Sequence, residues 1–288
     1  MLSSNIISRL EGLFPKGFIL NSTHAIGGGS INQAALIHTN QGKYFIKWNK
    51  AASYPQMFEK EAQSLILLAK TRCLRIPEVE YVSEEGAESF LVLEYIEEGR
   101  SAGNFWKDFA FGLAELHRNT QEQFGLSFDN YIGSLSQSNH LHNDWIEFFV
   151  EERLLPQIKL ARDASILSQP HIRAFERLFI RLDDIFPMEK PALLHGDLWS
   201  GNFMVGQEAK ACIFDPAIYY GSRMMDIAMT QMFGGFAPEF YQYYNDSFPF
   251  EKNWKEQISI CNLYPSLVHL NLFGTGYLGG IEDVLKKF

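Results

Sequence analysis

The sequence predicts an α+β fold in two parts, an antiparallel sheet carrying one helix followed by a mainly α-helical remainder. Three observations predict it. Short β-rich runs separated by turn residues fill the first third and are broken once by a helical period. Beyond Glu97-Glu98-Gly99 the apolar spacing becomes helical and stays so, apart from one strand-rich patch at residues 192–215. The sharpest change of composition lies at residues 96–103, with no internal repeat or low-complexity linker, so the two parts are expected to be residues 1–96 and 97–288.

Along the chain, MLSSNIISRLEGLF reads as a short amphipathic helix. Residues 32–39 (NQAALIHT) and 43–48 (KYFIKW) are strands joined by the turn Asn40-Gln41-Gly42. Phe58, Ala62, Leu65 and Ala69 recur at helical spacing between Pro55 and Lys70. Pro77 precedes two further strands, EVEYVS and SFLVLEYI, split by the polar turn Glu84-Glu85-Gly86. The second part reads as helices over 105–118, 144–161 and 171–185, with a long loop at 121–142, and helices resume from about residue 223 onward.

Composition narrows the function. The chain has 288 residues, 46% hydrophobic and 20% charged, which is ordinary for a folded globular protein. No apolar run reaches the length of a membrane span, and the N-terminus lacks the basic start and continuous apolar stretch of a signal peptide. Three scattered cysteines have no metal-ligand spacing and suit a reducing cytoplasm rather than a disulfide framework. A net charge of −9 excludes a global basic footprint for nucleic acid and is compatible with a neutral or cationic substrate.

The chemistry is concentrated in Leu194-His195-Gly196-Asp197-Leu198-Trp199-Ser200-Gly201-Asn202. An Asn five positions after an Asp is the spacing of a kinase catalytic loop, in which Asp197 would face the hydroxyl nucleophile and Asn202 would hold magnesium. The run Ala211-Cys212-Ile213-Phe214 ends at Asp215-Pro216, and a hairpin turning at Gly206 would bring Asp215 to the same edge as Asp197. Phosphoryl transfer needs such a set. Mg²⁺ prefers oxygen ligands and takes one or two carboxylates plus phosphates, while a separate carboxylate must meet the attacking hydroxyl. Each Asp or Asn alone fits a turn; the shared spacing is what points to chemistry.

The first part supplies the matching nucleotide features. Gly27-Gly28-Gly29-Ser30 precedes a strand, where glycines let backbone N–H groups approach phosphates; a plain hairpin turn fits the same residues. It is neither a Walker A loop nor a Rossmann fingerprint, since no Gly-Lys-Ser/Thr ending and no helix follow. Lys47 lies amid apolar neighbours in an alternating strand and needs a partner. Glu61 on the following helix is the chosen partner and Glu59 the competing one; a kinase uses such a pair to hold the α- and β-phosphates of ATP. Glu94, Tyr95 and Ile96 end an apolar strand at the boundary, where backbone groups would meet adenine. Asp226 is expected to cap a helix and steady the catalytic loop, and His195 to be a packed loop residue. Trp199, two residues after the proposed base, either packs in the core or lines the acceptor pocket; the pocket is the preferred reading.

Together these residues resemble the fructosamine kinase family, within the aminoglycoside-phosphotransferase and protein-kinase-like superfamily. The resemblance is carried by HGDLWSGNFMV at 195–205, FDPAIYYGSRMMDIAMTQMFGGF at 214–236 and LYPSLVHLNLFGTGYLGG at 263–280. FGLSFDNYIGSLSQSN, DWIEFFVEERLLPQI, GGGSIN and MFEKEAQSL fit the same family, so the match spans nearly the whole chain. It implies a two-lobed fold and transfer of the ATP γ-phosphate, with Mg²⁺, to the 3-hydroxyl of a ketosamine, a sugar joined to an amine. That step destabilises the adduct and would make the protein a deglycation or repair enzyme. Ser222, Met224 and Met225 depart from the more polar residues expected at those positions and bear on substrate detail.

Two other readings compete. A kinase for an aminoglycoside, choline or a sugar would share the same catalytic residues. A pseudokinase is opposed by the intact Lys47, Asp197, Asn202 and Asp215. A protein kinase is disfavoured because Asp-Pro-Ala stands at 215–217 in place of Asp-Phe-Gly and no Ala-Pro-Glu segment follows.

Overall fold

The computed structural model describes residues 2–14, 17–27 and 31–288. The first elements are α1 (Ser4–Leu13), β1 (Leu20–Ala25), β2 (Gln33–Thr39), β3 (Gly42–Lys50), α2 (Met57–Thr71), β4 (Val79–Ser83) and β5 (Glu88–Glu94). They are followed by α3 (Phe105–His117), β6 (Asn130–Ile132), β7 (Leu135–Gln137), α4 (Trp145–Phe148), a π-helical turn (Phe149–Leu154), α5 (Leu155–Asp163), α6 (Gln169–Phe179) and α7 (Leu182–Ile185). Then come β8 (Ala192–Leu194), a 3₁₀ turn (Ser200–Asn202), β9 (Phe203–Val205), β10 (Ala211–Ile213) and β11 (Tyr219–Gly221). The last elements are α8 (Met224–Met232), α9 (Pro238–Ser247), α10 (Trp254–Cys261), α11 (Leu263–Phe273) and α12 (Leu278–Leu285).

The chain divides into two compact units, Met1–Ala102 with Met204–Phe214, and Gly103–Phe203 with Asp215–Phe288. This grouping differs from the expected division into 1–96 and 97–288. The reason is hydrogen bonding: Gly99 N–H donates to Val205 O at 2.8 Å and Ile213 N–H to Arg75 O at 3.0 Å, so the β9–β10 hairpin and residues 97–102 join the first unit.

In the first unit, five strands form an antiparallel sheet in the order β1-β2-β3-β5-β4. Strand residues alternate between faces. Ala35, Ile37, Ile46, Trp48, Phe90 and Val92 therefore share one core, which α1 covers with Ile6 and Leu10 and the residue after it, Phe14, completes. Lys47, one residue from Ile46, points to the opposite face, toward α2. That helix buries Phe58, Ala62, Leu65 and Leu68. Its N-terminus is closed from a distance, by the Glu84 carboxylate accepting from Phe58 N (3.2 Å) and Glu59 N (3.3 Å).

In the second unit, the expected loop at 121–142 contains the β6–β7 hairpin, whose tip is Gly133 at φ +58° followed by Ser134. That two-residue Gly-Ser turn between alternating residues was the signal for it. β8 pairs antiparallel with β11, Leu194 opposite Tyr219, and delivers the chain into the segment beginning at His195. α4, the π turn and α5 run on without a break. Phe105 and Phe109 of α3 meet Phe236 and Phe240 around Phe203, with Phe109–Phe203 centroids 5.2 Å apart and Phe203–Phe236 at 4.9 Å. No helix among the described residues is long and apolar enough to cross a membrane.

Candidate active site

The loop after β8 starts with a turn that only glycine fits. Gly196 has φ +82°, and a Cβ there would stand 2.0 Å from Ala217 O. Ala217 N–H donates to His195 O at 2.9 Å, which ties the loop to the segment after Asp215. The other side of the turn is held by Asp226, fully buried in the first turn of α8. Its carboxylate accepts from His195 N (2.7 Å), Gly196 N (2.8 Å) and His117 Nε2 (3.2 Å). Burial alone would raise the pKa of Asp226, but the His117 hydrogen bond, electrostatic interaction with the His117 and His195 imidazoles and the Gly196 N–H hold it below its ordinary value. Burial holds His117 down, and its Nδ1 meets Tyr244 Oη at 2.7 Å. His117 had no local sequence signal, because its partners lie 109 and 127 positions away. His195 is fully buried, and its Nδ1 accepts from Asp197 N at 3.3 Å.

Asp197 is half-buried beyond this turn. Its pKa is pushed well above the ordinary carboxylate value, first by desolvation and then by the charges of Asp215 and Asp226, against a hydrogen bond from Asn202. Asn202 Nδ2 donates to Asp197 O (2.8 Å), to Asp197 Oδ2 (2.9 Å) and, more weakly, to Asp215 O (3.5 Å). One amide thus draws the three expected residues together. Because those bonds use the nitrogen, Oδ1 is the atom with ligand chemistry. Asp215 is exposed and sits at φ +55°, a left-handed conformation that Asp tolerates better than most residues.

Trp199 is 36% exposed, so it is not a core residue; its ring meets Phe233 edge-on at 5.6 Å. Phe233 in turn lies 5.1 Å from His269, which lies 5.0 Å from Tyr277. A Cβ on Gly201 would stand 2.2 Å from the Trp199 ring, so glycine is needed for the indole to lie over the loop. Ser222, Met224 and Met225 are buried.

In the first unit, Lys47 Nζ lies 2.5 Å from Glu61 Oε1, with side-chain exposures of 6% and 11%. Glu61, rather than Glu59, is therefore the partner of Lys47. A close, enclosed pair of this kind is badly disturbed by losing one member. Lys47→Ala is expected to weaken productive ATP binding and slow transfer. Glu61→Ala should do the same more mildly, because it positions the lysine; nucleotide titration and kcat on each variant check this. A silent Glu61→Ala beside a harmful Glu59→Ala would contradict it.

Glu94 is committed within the first unit: its carboxylate pairs with Arg75 and accepts from Glu78 N (3.2 Å), and its own N–H donates to Glu78 O (2.9 Å). Tyr95 and Ile96 line a cavity of about 290 Å³ with Arg75, Glu97, Gly206 and Lys210. Gly27 follows β1, with open space where a Cβ would be. Gly28, Gly29 and Ser30 lie outside the described residues.

Oxygen donors of this kind fit a hard divalent cation such as Mg²⁺: the Asp215 carboxylate and Asn202 Oδ1 lie on adjoining segments tied by the Asn202 amide.

The family model described as fructosamine kinase matches residues 2–288. An Enterococcus faecium protein named a probable ketoamine kinase is 39% identical over 266 residues, covering 91% of this chain and 93% of the relative. The chloroplastic protein-ribulosamine 3-kinase of Arabidopsis thaliana is 36% identical over 92% of this chain and 81% of its own length. Among solved structures, a fructosamine-3-kinase candidate from Haemophilus somnus superposes with a TM-score of 0.88 at 28% identity, covering 98% of this chain and 96% of the other. An aminoglycoside phosphotransferase bound to AMP-PNP and hygromycin B, at 11% identity and a TM-score of 0.68 over 98% of both chains, shares the fold. With a family match across essentially its whole length and relatives this similar, the chain belongs to the fructosamine kinase family.

Proposed function

We propose that this protein transfers the γ-phosphate of ATP to a hydroxyl of a ketosamine, with Asp197 as the base, Asn202 and Asp215 as Mg²⁺ ligands, and Lys47, positioned by Glu61, on the nucleotide phosphates. The observation that carries the reading is the Asn202 amide, which joins the Asp197 carboxylate to the Asp215 main chain. Asp197 would accept the proton of the attacking hydroxyl. When bound, Mg²⁺ supplies charge neutralisation for the phosphates. Gly27, Gly28, Gly29 and Ser30, with Tyr95 and Ile96, are assigned to the nucleotide; the Glu94 carboxylate, held by Arg75 and the Glu78 N–H, supports that segment rather than meeting the nucleotide with its side chain. Asp226 steadies the loop. The 3-hydroxyl is favoured by the naming of the Arabidopsis relative as a ribulosamine 3-kinase. Phosphorylation there would serve deglycation. Free thiols at Cys73, Cys212 and Cys261 suit the cytoplasm as the compartment.

The acceptor is assigned to Trp199. Its exposed indole offers a face to the apolar side of a sugar and to a cationic amine. Trp199→Ala is expected to fold normally, keep ATP affinity and lose activity mainly through a raised KM for ketosamine. A lowered melting temperature with unchanged KM would contradict the assignment. The function itself is tested by an ATP-consumption screen that sets fructosyl-lysine and ribulosyl-lysine against aminoglycosides, choline and free sugars. Turnover with ketosamines is expected; preference for another alcohol would overturn the ketosamine reading.

A further inference from the structure

We propose that Gln137 is a positioning residue for the metal-binding segment, holding Asp215 in its left-handed conformation through the main chain of Ala217. The inference rests on the kinase reading above. Gln137 ends β7 and is buried. Its Nε2 donates to Ala217 O (3.1 Å) and to Asn130 Oδ1 (2.7 Å), while its Oε1 accepts from Tyr264 Oη (2.7 Å). Asn130, its neighbour across the hairpin, donates from Nδ2 to Ile218 O at 2.8 Å. Two consecutive carbonyls, two and three residues past Asp215, are thus gripped by side-chain amides from one hairpin.

The segment needs such a grip. Asp215 is at φ +55°, a region that Asp tolerates better than most residues but that still costs energy outside glycine and is held by its surroundings. Pro216 has no N–H to donate. The Ala217 N–H is directed to His195 O in the catalytic loop, so Gln137 fixes the carbonyl end of the same residue. The Ala217 main chain is therefore clamped between the base-bearing loop and the hairpin.

The grip is itself anchored. Asn130 Oδ1 also accepts from Asn139 Nδ2 (3.2 Å), and Asn139 Oδ1 accepts from Arg153 Nη2 (2.6 Å). Arg153 is fully buried in the π turn, 3.9 Å from the centre of the Tyr219 ring. π turns occur often at functional sites, and this one places its arginine at the foot of the network. A hairpin kept for stability alone would do as well with apolar side chains. Here its buried amides converge on the residues that follow the metal-binding carboxylate.

The test uses Gln137→Leu, Gln137→Glu and Tyr264→Phe in the full chain. Mn²⁺ binding to the complex with AMP-PNP, followed by electron paramagnetic resonance, is read beside the Mg²⁺ dependence of kcat. Losing a supporting hydrogen bond around a metal typically costs roughly 10- to 100-fold in affinity or activity, and Gln137→Leu is expected in that range. Gln137→Glu keeps the acceptor for Tyr264, and in its ionised form cannot donate to Ala217 O, so at a pH where that carboxyl is ionised it should be no better. Tyr264→Phe removes one hydroxyl, carries the test if the Gln137 variants do not fold, and should raise the half-saturating Mg²⁺ severalfold. The KM for ketosamine should stay within about twofold, since only ground-state binding of the acceptor would move it. Mn²⁺ binding equally tight in wild type and folded variants would overturn the positioning role. Absence of ketosamine turnover by the wild type in the same assay would overturn the functional reading instead.

Discussion

Replacing Asp197 with Asn is expected to lower kcat by roughly 100-fold or more while nucleotide binding survives, as befits a lost general base. That loss corresponds to about 3 kcal/mol of transition-state stabilisation. The substitution is conservative in geometry. The new side-chain oxygen can still accept from Asn202 Nδ2, and the Asp197 carbonyl keeps its own bond to the same amide. What disappears is the carboxylate proposed to accept the proton of the attacking hydroxyl. Steady-state kinetics with a nucleotide-binding titration separate the two effects, and near-normal turnover would contradict the assignment of the base.

Asp215→Ala should reduce turnover to below about one hundredth of wild type at saturating Mg²⁺, the scale seen when a group opposing transition-state charge is removed. Alanine at φ +55° also strains the backbone by about 1–2 kcal/mol, so Asp215→Asn is the fairer companion, since Asn tolerates that conformation. Both should fail in catalysis, and a melting curve shows whether the alanine variant also loses stability. Asn202→Ala belongs to the same experiment and should raise the Mg²⁺ requirement. An unchanged magnesium titration would remove Asn202 from the ligand set.

The features that could be read in the sequence are those whose geometry is local. Alternation along Tyr44-Phe45-Ile46-Lys47-Trp48 put Lys47 on the face opposite Ile46, and the helical period left Glu61, the preferred partner, and Glu59 to compete for it; the ion pair is with Glu61. The five-residue step from Asp197 to Asn202 spans one 3₁₀ turn, so spacing alone was informative. The strands at 33–39 and 42–50 follow from alternation around Asn40-Gln41-Gly42. What escaped depends on distant pairing. Gln137 meets Ala217 across 80 positions and Tyr264 across 127, and nothing in SLSQS announces that. The grouping of residues 204–214 with the first unit depends on Arg75 and Gly99, whose bonds to that hairpin no composition shift reveals. Trp199 was ambiguous because a large aromatic in a polar loop fits a core or a pocket, and its exposure sets it outside the core.

The central claim, transfer of phosphate from ATP to a ketosamine hydroxyl, is tested most directly by phosphorus-31 NMR of the full-length protein incubated with ATP, Mg²⁺ and fructosyl-lysine. The account predicts one new phosphomonoester resonance, growing in step with ADP, coupled to the sugar C3 proton and absent when Mg²⁺ is chelated or Asp197→Asn is used. ADP that accumulates with inorganic phosphate as the sole new phosphorus species, or a phosphomonoester that forms on a free sugar but never on the ketosamine, would contradict it.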